Sequence, residues 1–439
     1  MSFALREDPP ERTATGRRDI QGLRAFAVLA VICDHLLQWP RGGFVGVDIF
    51  FVISGFLITG VLVREHENTD HISFVGFYRR RIKRILPASV LVLVVTVVAS
   101  WLVFNQSRFK STLTDSIWAM LFSANWHYAE QSMNYFDVGG PVSPLQHYWS
   151  LGVEEQFYFV WPWLMLAISV VLLHRSRSHA AARIVLGSVL AALSAGSFVW
   201  AMWQSSASPE IAYFSTLTRA WELGVGSLIA VAAPLAWRIP ATVRPLLSWV
   251  GFGGMAASLW IVSSTKSFPA PWAALPVLAT AIVILAGTFE DHRRQQVLFF
   301  PLTNRVSKYL GDISFSLYLW HFPIAILGVV LWGDSNRVIA ALAVATVTIS
   351  AYSYHLVEDP IRRSAWLENR SWRRRNDRLP VFDERVGRIA LSGLVLAVAV
   401  LVGFAVQPSE RPRSVAIDTS VQNAQVVSAE GDQTQLVAL

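Results

Sequence analysis

The sequence predicts an all-α, polytopic membrane protein, and three observations predict it: an apolar composition, eleven apolar runs of bilayer length, and a one-sided distribution of positive charge. Apolar residues make up 53% of the 439, charged residues only 15%, and 18 are tryptophan. Those proportions exclude an ordinary water-soluble globule. Runs of about 20 residues, the length that crosses a hydrocarbon core, fall near 20–38, 43–63, 85–104, 149–173, 184–203, 213–233, 246–263, 271–289, 310–331, 337–357 and 387–406.

Lysine and arginine predict the orientation. With the N-terminus in the cytoplasm, the inner segments hold 27 of the 37 Lys and Arg residues, the outer segments hold 7, and Arg24, Arg219 and Arg388 fall within spans. Positive charge is retained on the cytoplasmic side, so this asymmetry sets the topology. It also predicts that the moderately apolar stretch 111–127 does not cross, since one more crossing would carry the arginine-rich segment 358–386 outside. A re-entrant or interfacial helix is expected there. The net charge of +7 then reads as topology, with anionic lipid of the bilayer as its surface partner and nucleic acid excluded. The lone cysteine, Cys33, cannot form an internal disulfide.

Residues 1–16 read as a charged cytoplasmic tail, and the first apolar run is long enough to stay as an anchor. A ten-helix membrane domain is expected over 17–363, a cytoplasmic linker over 364–386 and an eleventh transmembrane helix over 387–406. Residues 407–439 are polar and short of core-forming side chains, which predicts an extracytoplasmic tail or linker.

The chemistry lies in the polar side chains that the spans retain, because an ionisable group inside the membrane is costly and marks function by default. In the first span Arg24 and His35 are eleven residues apart. At about 100° per residue that is roughly three turns, so both lie on one helix face about 16 Å apart. Snorkelling to the inner interface is the plain alternative for Arg24; His35 lies too deep for it. The second span begins GGFVGVDIFFVISGFLI, where small residues permit close helix approach. Asp48 in that company either anchors a substrate hydroxyl or locks Arg41 or a backbone amide. The cationic run Phe77-Tyr-Arg-Arg-Arg-Ile-Lys-Arg-Ile-Leu-Pro87 follows, and by itself it is ordinary topology signalling.

His147 opens the fourth span in HYWSLGVEEQFY, and Glu154, seven residues later, shares its helix face. Glu154 and Glu155 cannot both lie idle against lipid, and pairing with a membrane arginine such as Arg219 is their structural alternative. In the sixth span Arg219 and Glu222 are spaced i, i+3 and are expected to pair. In the ninth, SFSLYLWHFP brings hydroxyls, His321 and Pro323 to mid-membrane. A proline there frees a backbone carbonyl, and His321 is either a second catalytic or substrate-orienting group or an imidazole satisfied by Ser or Tyr neighbours.

Arg24 with His35, GGFVGVDIFFVISGFLI, FYRRRIKRILP, HYWSLGVEEQFYFVWP, GDISFSLYLWHFP and the closing Glu358-Asp-Pro-Ile-Arg362 occur in this order over roughly 17–363. In that arrangement the chain resembles the acyltransferase-3 family of integral membrane O-acyltransferases, which modify bacterial glycans. The resemblance implies a ten-helix enzyme of the bacterial cytoplasmic membrane. Such an enzyme moves an acyl group, commonly acetyl from acetyl-CoA, to a hydroxyl of an envelope sugar, a glycolipid or a small molecule such as a macrolide. It implies functional roles for Arg24, His35, Arg81 and Arg84, and no metal.

The residues suit such a transfer. The inner face offers Arg80, Arg81 and Arg84, with Arg79 and Lys83, as charge-assisted donors for the diphosphate of an acyl-CoA. His35 is expected to be the general base, with an acyl-imidazole relay as the covalent variant. Arg24 would hold the donor or stabilise developing charge. Glu154 and His147 are expected to face the acceptor, with Asp48 and His321 as further substrate-binding groups. The rival reading of the buried charges is a translocation path in a transporter or flippase, but matching broken helices in two halves are not seen in the sequence.

Overall fold

The computed structural model describes residues 17–69, 72–131, 135, 142–171, 179–263, 267–288, 299–364, 366 and 367, and among these the regular structure is entirely helical. The expected cytoplasmic tail over 1–16, nearly all of the linker, the eleventh helix and the C-terminal tail lie outside the described residues.

Apolar side chains run continuously around most of these helices, as expected where the surroundings are lipid or other helices. The long elements in chain order are α1 (Arg18–Leu37), α2 (Gly46–Thr69), α3 (Phe74–Val103), α4 (Gln106–Met120), α5 (Ala124–Glu130), α6 (Tyr148–Val171), α7 (His179–Ala207), α8 (Pro209–Phe214), α9 (Thr216–Ala232), α10 (Arg244–Ile261) and α11 (Ala274–Ala286). They continue with α12 (Arg305–Asp312), α13 (Ser314–Trp332) and α14 (Asn336–Ser353), which closes on a π-helical turn, Tyr354–Glu358. Each apolar run expected up to residue 357 meets one of these helices. Six helical segments among the described residues are long and apolar enough to cross a membrane: Arg18–Leu37, Gly43–Thr69, Phe74–Val103, Ala181–Ala207, Ser314–Trp332 and Asn336–Arg363. The protein is a multi-pass, all-α membrane protein.

Local chemistry sets the helix ends. Ser73 accepts from the Gly76 amide to start α3, Asn105 from the Arg108 amide to start α4, and Asn304 from the Ser307 amide to start α12. The stretch 111–127 breaks between α4 and α5, which have 15 and 7 residues. Each is shorter than the roughly 20 residues a crossing needs. Polar bonds hold this pair against the bundle: Gln156 donates to the Phe122 carbonyl and to Asn125 Oδ1, and Asn125 donates to the Phe214 carbonyl.

The closest packing joins α2 and α9. A Cβ on Gly55 would lie 1.9 Å from the Leu223 carbonyl oxygen, and one on Gly226 would lie 2.0 Å from that of Val52, so each helix backbone fills the space of the other's missing side chain. Hydroxyls bond across the same seam. Thr59 donates to Ser227 at 2.8 Å, and the Trp161 indole of α6 donates to Thr59 at 2.8 Å.

Candidate active site

Three imidazoles from three parts of the chain meet at the core of the bundle. His35 comes from the C-terminal end of α1, His321 from α13, and His147 from the turn that leads into α6. His35 Nδ1 and His321 Nε2 share a hydrogen bond of 2.9 Å, and His35 Nε2 shares one of 2.8 Å with the Tyr135 hydroxyl. The His35 and His321 rings lie 9° from parallel with centroids 5.2 Å apart, and Phe322 packs edge-on to His35. Among the described residues no group of three or more His, Cys, Asp or Glu is arranged to hold a metal ion.

The proline of SFSLYLWHFP explains where His147 sits. Pro323 has no N–H to give to the carbonyl four residues back, that of Leu319, and the His147 Nε2–H donates to this carbonyl instead, at 3.1 Å. The freed carbonyl expected from the sequence is therefore filled by a side chain 172 residues away. The other ring nitrogen of His147, Nδ1, is buried with no hydrogen-bond partner among the described residues. His147 and His321 are completely enclosed, so neither lies at an open outer rim. His321 is satisfied by the backbone and by His35, where the sequence suggested serine or tyrosine side chains.

Beside the Arg24 end of α1 lies a cavity with about 750 Å³ of open space, its mouth included. Arg24 of α1 and Arg81 and Arg84 of α3 line it together with Glu154, Glu155 and Tyr158 of α6 and Ser54 of α2. Ser54 and Tyr158 both donate to the same Glu154 oxygen, while Glu155 Oε1 has no hydrogen-bond partner among the described residues. Arg81 lies over the Tyr158 ring, 4.8 Å from its centroid. Ser150 and Tyr318 line the end of the cavity nearest the histidines. Their hydroxyls bond each other at 2.6 Å, and Tyr318 also donates to the His147 carbonyl at 3.0 Å. Tyr318 thus belongs to both the cavity wall and the histidine cluster.

The residues singled out in the sequence separate into distinct places. Arg24, Arg81, Arg84 and Glu154 share this cavity. His35, His147 and His321 form the cluster above it. Glu154 therefore sits among arginines, apart from the histidines. Arg80 stands apart: its side chain is 52% exposed and reaches Glu65 at 3.3 Å. Asp48 is also elsewhere. It is wholly buried and accepts from Arg219 at 2.7 Å, so its expected partner Arg41 is replaced by an arginine of another helix. Arg219 also lies 3.0 Å from Glu222, the pairing its spacing predicts, and Glu154 and Glu155 do not take part.

Residues that the sequence reading passed over include Tyr135, Tyr318, Ser54, Tyr158 and Glu358. Glu358 opens the membrane domain's closing motif and accepts from Ser316 at 2.6 Å, as an electrostatic neighbour of Arg24 and Arg84. Its position in Glu358-Asp-Pro-Ile-Arg362 was a signal. Tyr318 lay in SFSLYLWHFP, whose hydroxyls the sequence marked without a partner; Tyr135, Ser54 and Tyr158 gave no signal, because Ser and Tyr are unremarkable in a membrane helix until a partner faces them.

A family described as "Acyltransferase domain" matches residues 17–356. YrhL of Bacillus subtilis strain 168 is 30% identical over 443 aligned positions, which cover 95% of this chain and 67% of YrhL. The peptidoglycan O-acetyltransferase OatA of Listeria monocytogenes is 32% identical over 361 positions, 79% of this chain and 56% of that protein. The O-acetyltransferase OatA of Staphylococcus aureus is 31% identical over 365 positions, 79% and 57%. The chain spans little more than half the length of the two OatA proteins and about two thirds of YrhL. No solved structure matches it significantly. With more than three quarters of its length matched, the chain belongs to the acyltransferase-3 family of membrane acyltransferases.

Proposed function

We propose that the protein transfers an acetyl group from cytosolic acetyl-CoA to a hydroxyl of a cell-wall glycan. The observation that carries this reading is the convergence of Arg24, Arg81 and Arg84 on one cavity whose far wall, Tyr318, touches the histidine cluster. Three guanidiniums beside buried carboxylates form a site for an anionic ligand. A diphosphate-bearing thioester has that charge, and a long arm that can lead away from it. The names of the OatA relatives point to acetyl as the acyl group and to peptidoglycan as the acceptor class.

The residues divide the work by depth. Arg24 lies about 16 Å below His35 along α1, too far to touch a carbonyl that reacts at the imidazole, so it grips the donor's anionic end with Arg81 and Arg84. Glu154, held by Ser54 and Tyr158, balances those charges when the donor is away. His35 takes the proton of the acceptor hydroxyl as the hydroxyl oxygen bonds to the acyl carbon. The carbon–sulfur bond then breaks, and the proton passes from His35 to the departing sulfur, leaving an ester and a free thiol. His147, whose Nδ1 has no partner among the described residues, is assigned to the acceptor side once the acceptor has entered.

This reading sets the arginine side and the N-terminus in the cytoplasm, in keeping with the one-sided lysine and arginine count. It takes 17–363 as the ten-helix catalytic domain, followed by a cytoplasmic linker and an eleventh helix over 387–406. The test is thioester turnover by purified full-length protein in detergent, with soluble muropeptide as acceptor. Acetyl-CoA should be consumed only when the acceptor is present, and His35→Ala should abolish this without loss of folded protein. Absence of transfer in the wild type with acetyl-CoA and glycan acceptors would overturn the reading.

A further inference from the structure

We propose that His321 is the positioning residue of His35: it holds the His35 ring in the tautomer whose bare Nε2 faces the attacking hydroxyl. Each hydrogen follows from its neighbour. The carbonyl of Tyr318 can only accept, so the Nδ1 of His321, 2.6 Å away, carries a hydrogen. The Nε2 of the neutral His321 ring is then a lone pair. The hydrogen in the 2.9 Å bond between the two imidazoles therefore sits on His35 Nδ1. That leaves His35 Nε2 as an acceptor, and it is this nitrogen that receives the Tyr135 hydroxyl at 2.8 Å. A hydroxyl donating to Nε2 at that distance is the geometry in which a substrate alcohol would give up its proton.

Which nitrogen of an imidazole holds the hydrogen is set by the bond that the other nitrogen makes. Among the described residues no carboxylate hydrogen-bonds His35, so the orienting role that an acid fills in a Ser-His-Asp triad falls to a neutral ring backed by a main-chain carbonyl. His321 is well suited to hold still. It is completely enclosed, nearly coplanar with His35 along their shared hydrogen bond, and anchored in its own helix. When His35 takes a proton at Nε2, the Nδ1–H bond to His321 shares the new charge.

The kinetic part of this inference rests on the acyl-transfer reading; the tautomer itself does not. The decisive experiment is nitrogen NMR of the full-length protein in nanodiscs with ring-labelled histidine, the His35 signals being assigned by their loss in His35→Gln. The wild type should show hydrogen on His35 Nδ1 and a bare Nε2. In His321→Ala the hydrogen should move to Nε2, and in His321→Gln, whose amide oxygen reaches the place of the lost Nε2, it should stay on Nδ1. In the transfer assay His321→Ala should lower kcat about 10- to 100-fold, the usual cost of losing an orienting partner, with the KM for acetyl-CoA unchanged. His321→Gln should recover most of that loss, which a merely space-filling role would not produce. A wild-type His35 with its hydrogen on Nε2 overturns the proposal, as does His321→Ala turning over at the wild-type rate. Should the alanine variant fail to fold, the wild-type and glutamine spectra decide. A wild type without transfer activity but with the stated tautomer would sink the acyl-transfer reading and leave the tautomer standing.

Discussion

Arg219 and Asp48 form an ion pair 2.7 Å long that is shut off from solvent, the arginine 1% and the aspartate 0% exposed, and it ties α9 to α2 across 171 residues of sequence. Glu222 stands on the arginine's other side at 3.0 Å, equally buried. The rings of Phe51, Trp149, Tyr213 and Phe268 surround the guanidinium with centroids 5.2–5.8 Å from it. One cation thus serves two carboxylates inside an aromatic cage. Removing a partner from such a group strands the other charges, which costs about 3–5 kcal/mol. Arg219→Ala is therefore expected to cut the yield of monodisperse protein and lower its melting temperature in detergent. Arg219→Lys should recover part of the loss at most, because an ammonium cannot bridge both carboxylates as the planar guanidinium does. Wild-type thermal stability in Arg219→Ala would show that the pair holds nothing together.

The same helix pair should be intolerant of a single methyl group. Gly226 has the Val52 carbonyl oxygen where its Cβ would go, and backbone cannot step aside as a flexible side chain can. Gly226→Ala should destabilise the fold by about 1–3 kcal/mol, the range for overpacking a tight contact. Size-exclusion and thermal melting of the variant beside wild type would measure it.

Donor binding should separate Arg81 and Arg84 from Arg80. A lost charge-assisted hydrogen bond costs about 1.5–3 kcal/mol, so Arg81→Gln or Arg84→Gln should raise the KM for acetyl-CoA roughly 10- to 100-fold. Arg80 makes only an exposed contact with Glu65, and surface pairs contribute about 1 kcal/mol or less. Its glutamine variant should leave KM within a few fold of wild type. Equal effects at all three positions would point to a general surface field and away from the cavity as the donor site.

Glu154 offers a test of sign. Its carboxylate lies among Arg24, Arg81 and Arg84, so Glu154→Gln takes away a counter-charge that an anionic donor must compete with. The expected outcome is tighter acetyl-CoA binding, seen as a lower KM and by direct titration calorimetry. Weaker binding would mean that Glu154 touches the donor itself, or orders an arginine that does.

Much of this molecule is written locally. Span positions follow from runs of apolar residues, and the Arg24–His35 face from helical phase. The Arg219–Glu222 pair follows from i, i+3 spacing, and the freed Leu319 carbonyl from the missing N–H of Pro323. The arginine cluster could be found but not sorted, because adjacent residues in a cationic run have the same composition and differ only in what they face. Arg80 looks outward to Glu65, while Arg81 and Arg84 look into the cavity.

What only tertiary structure decided is which distant groups became partners. His35 bonds His321 from 286 residues away, and His147 fills the Leu319 carbonyl from 172. Asp48 takes Arg219 rather than its near neighbour Arg41. Periodicity tells which face of a helix a side chain occupies but not which helix that face will meet. In an apolar medium a polar group left without a partner is costly, and the packing of the bundle, tight enough at Gly55 and Gly226 to exclude a methyl, selected among the partners available.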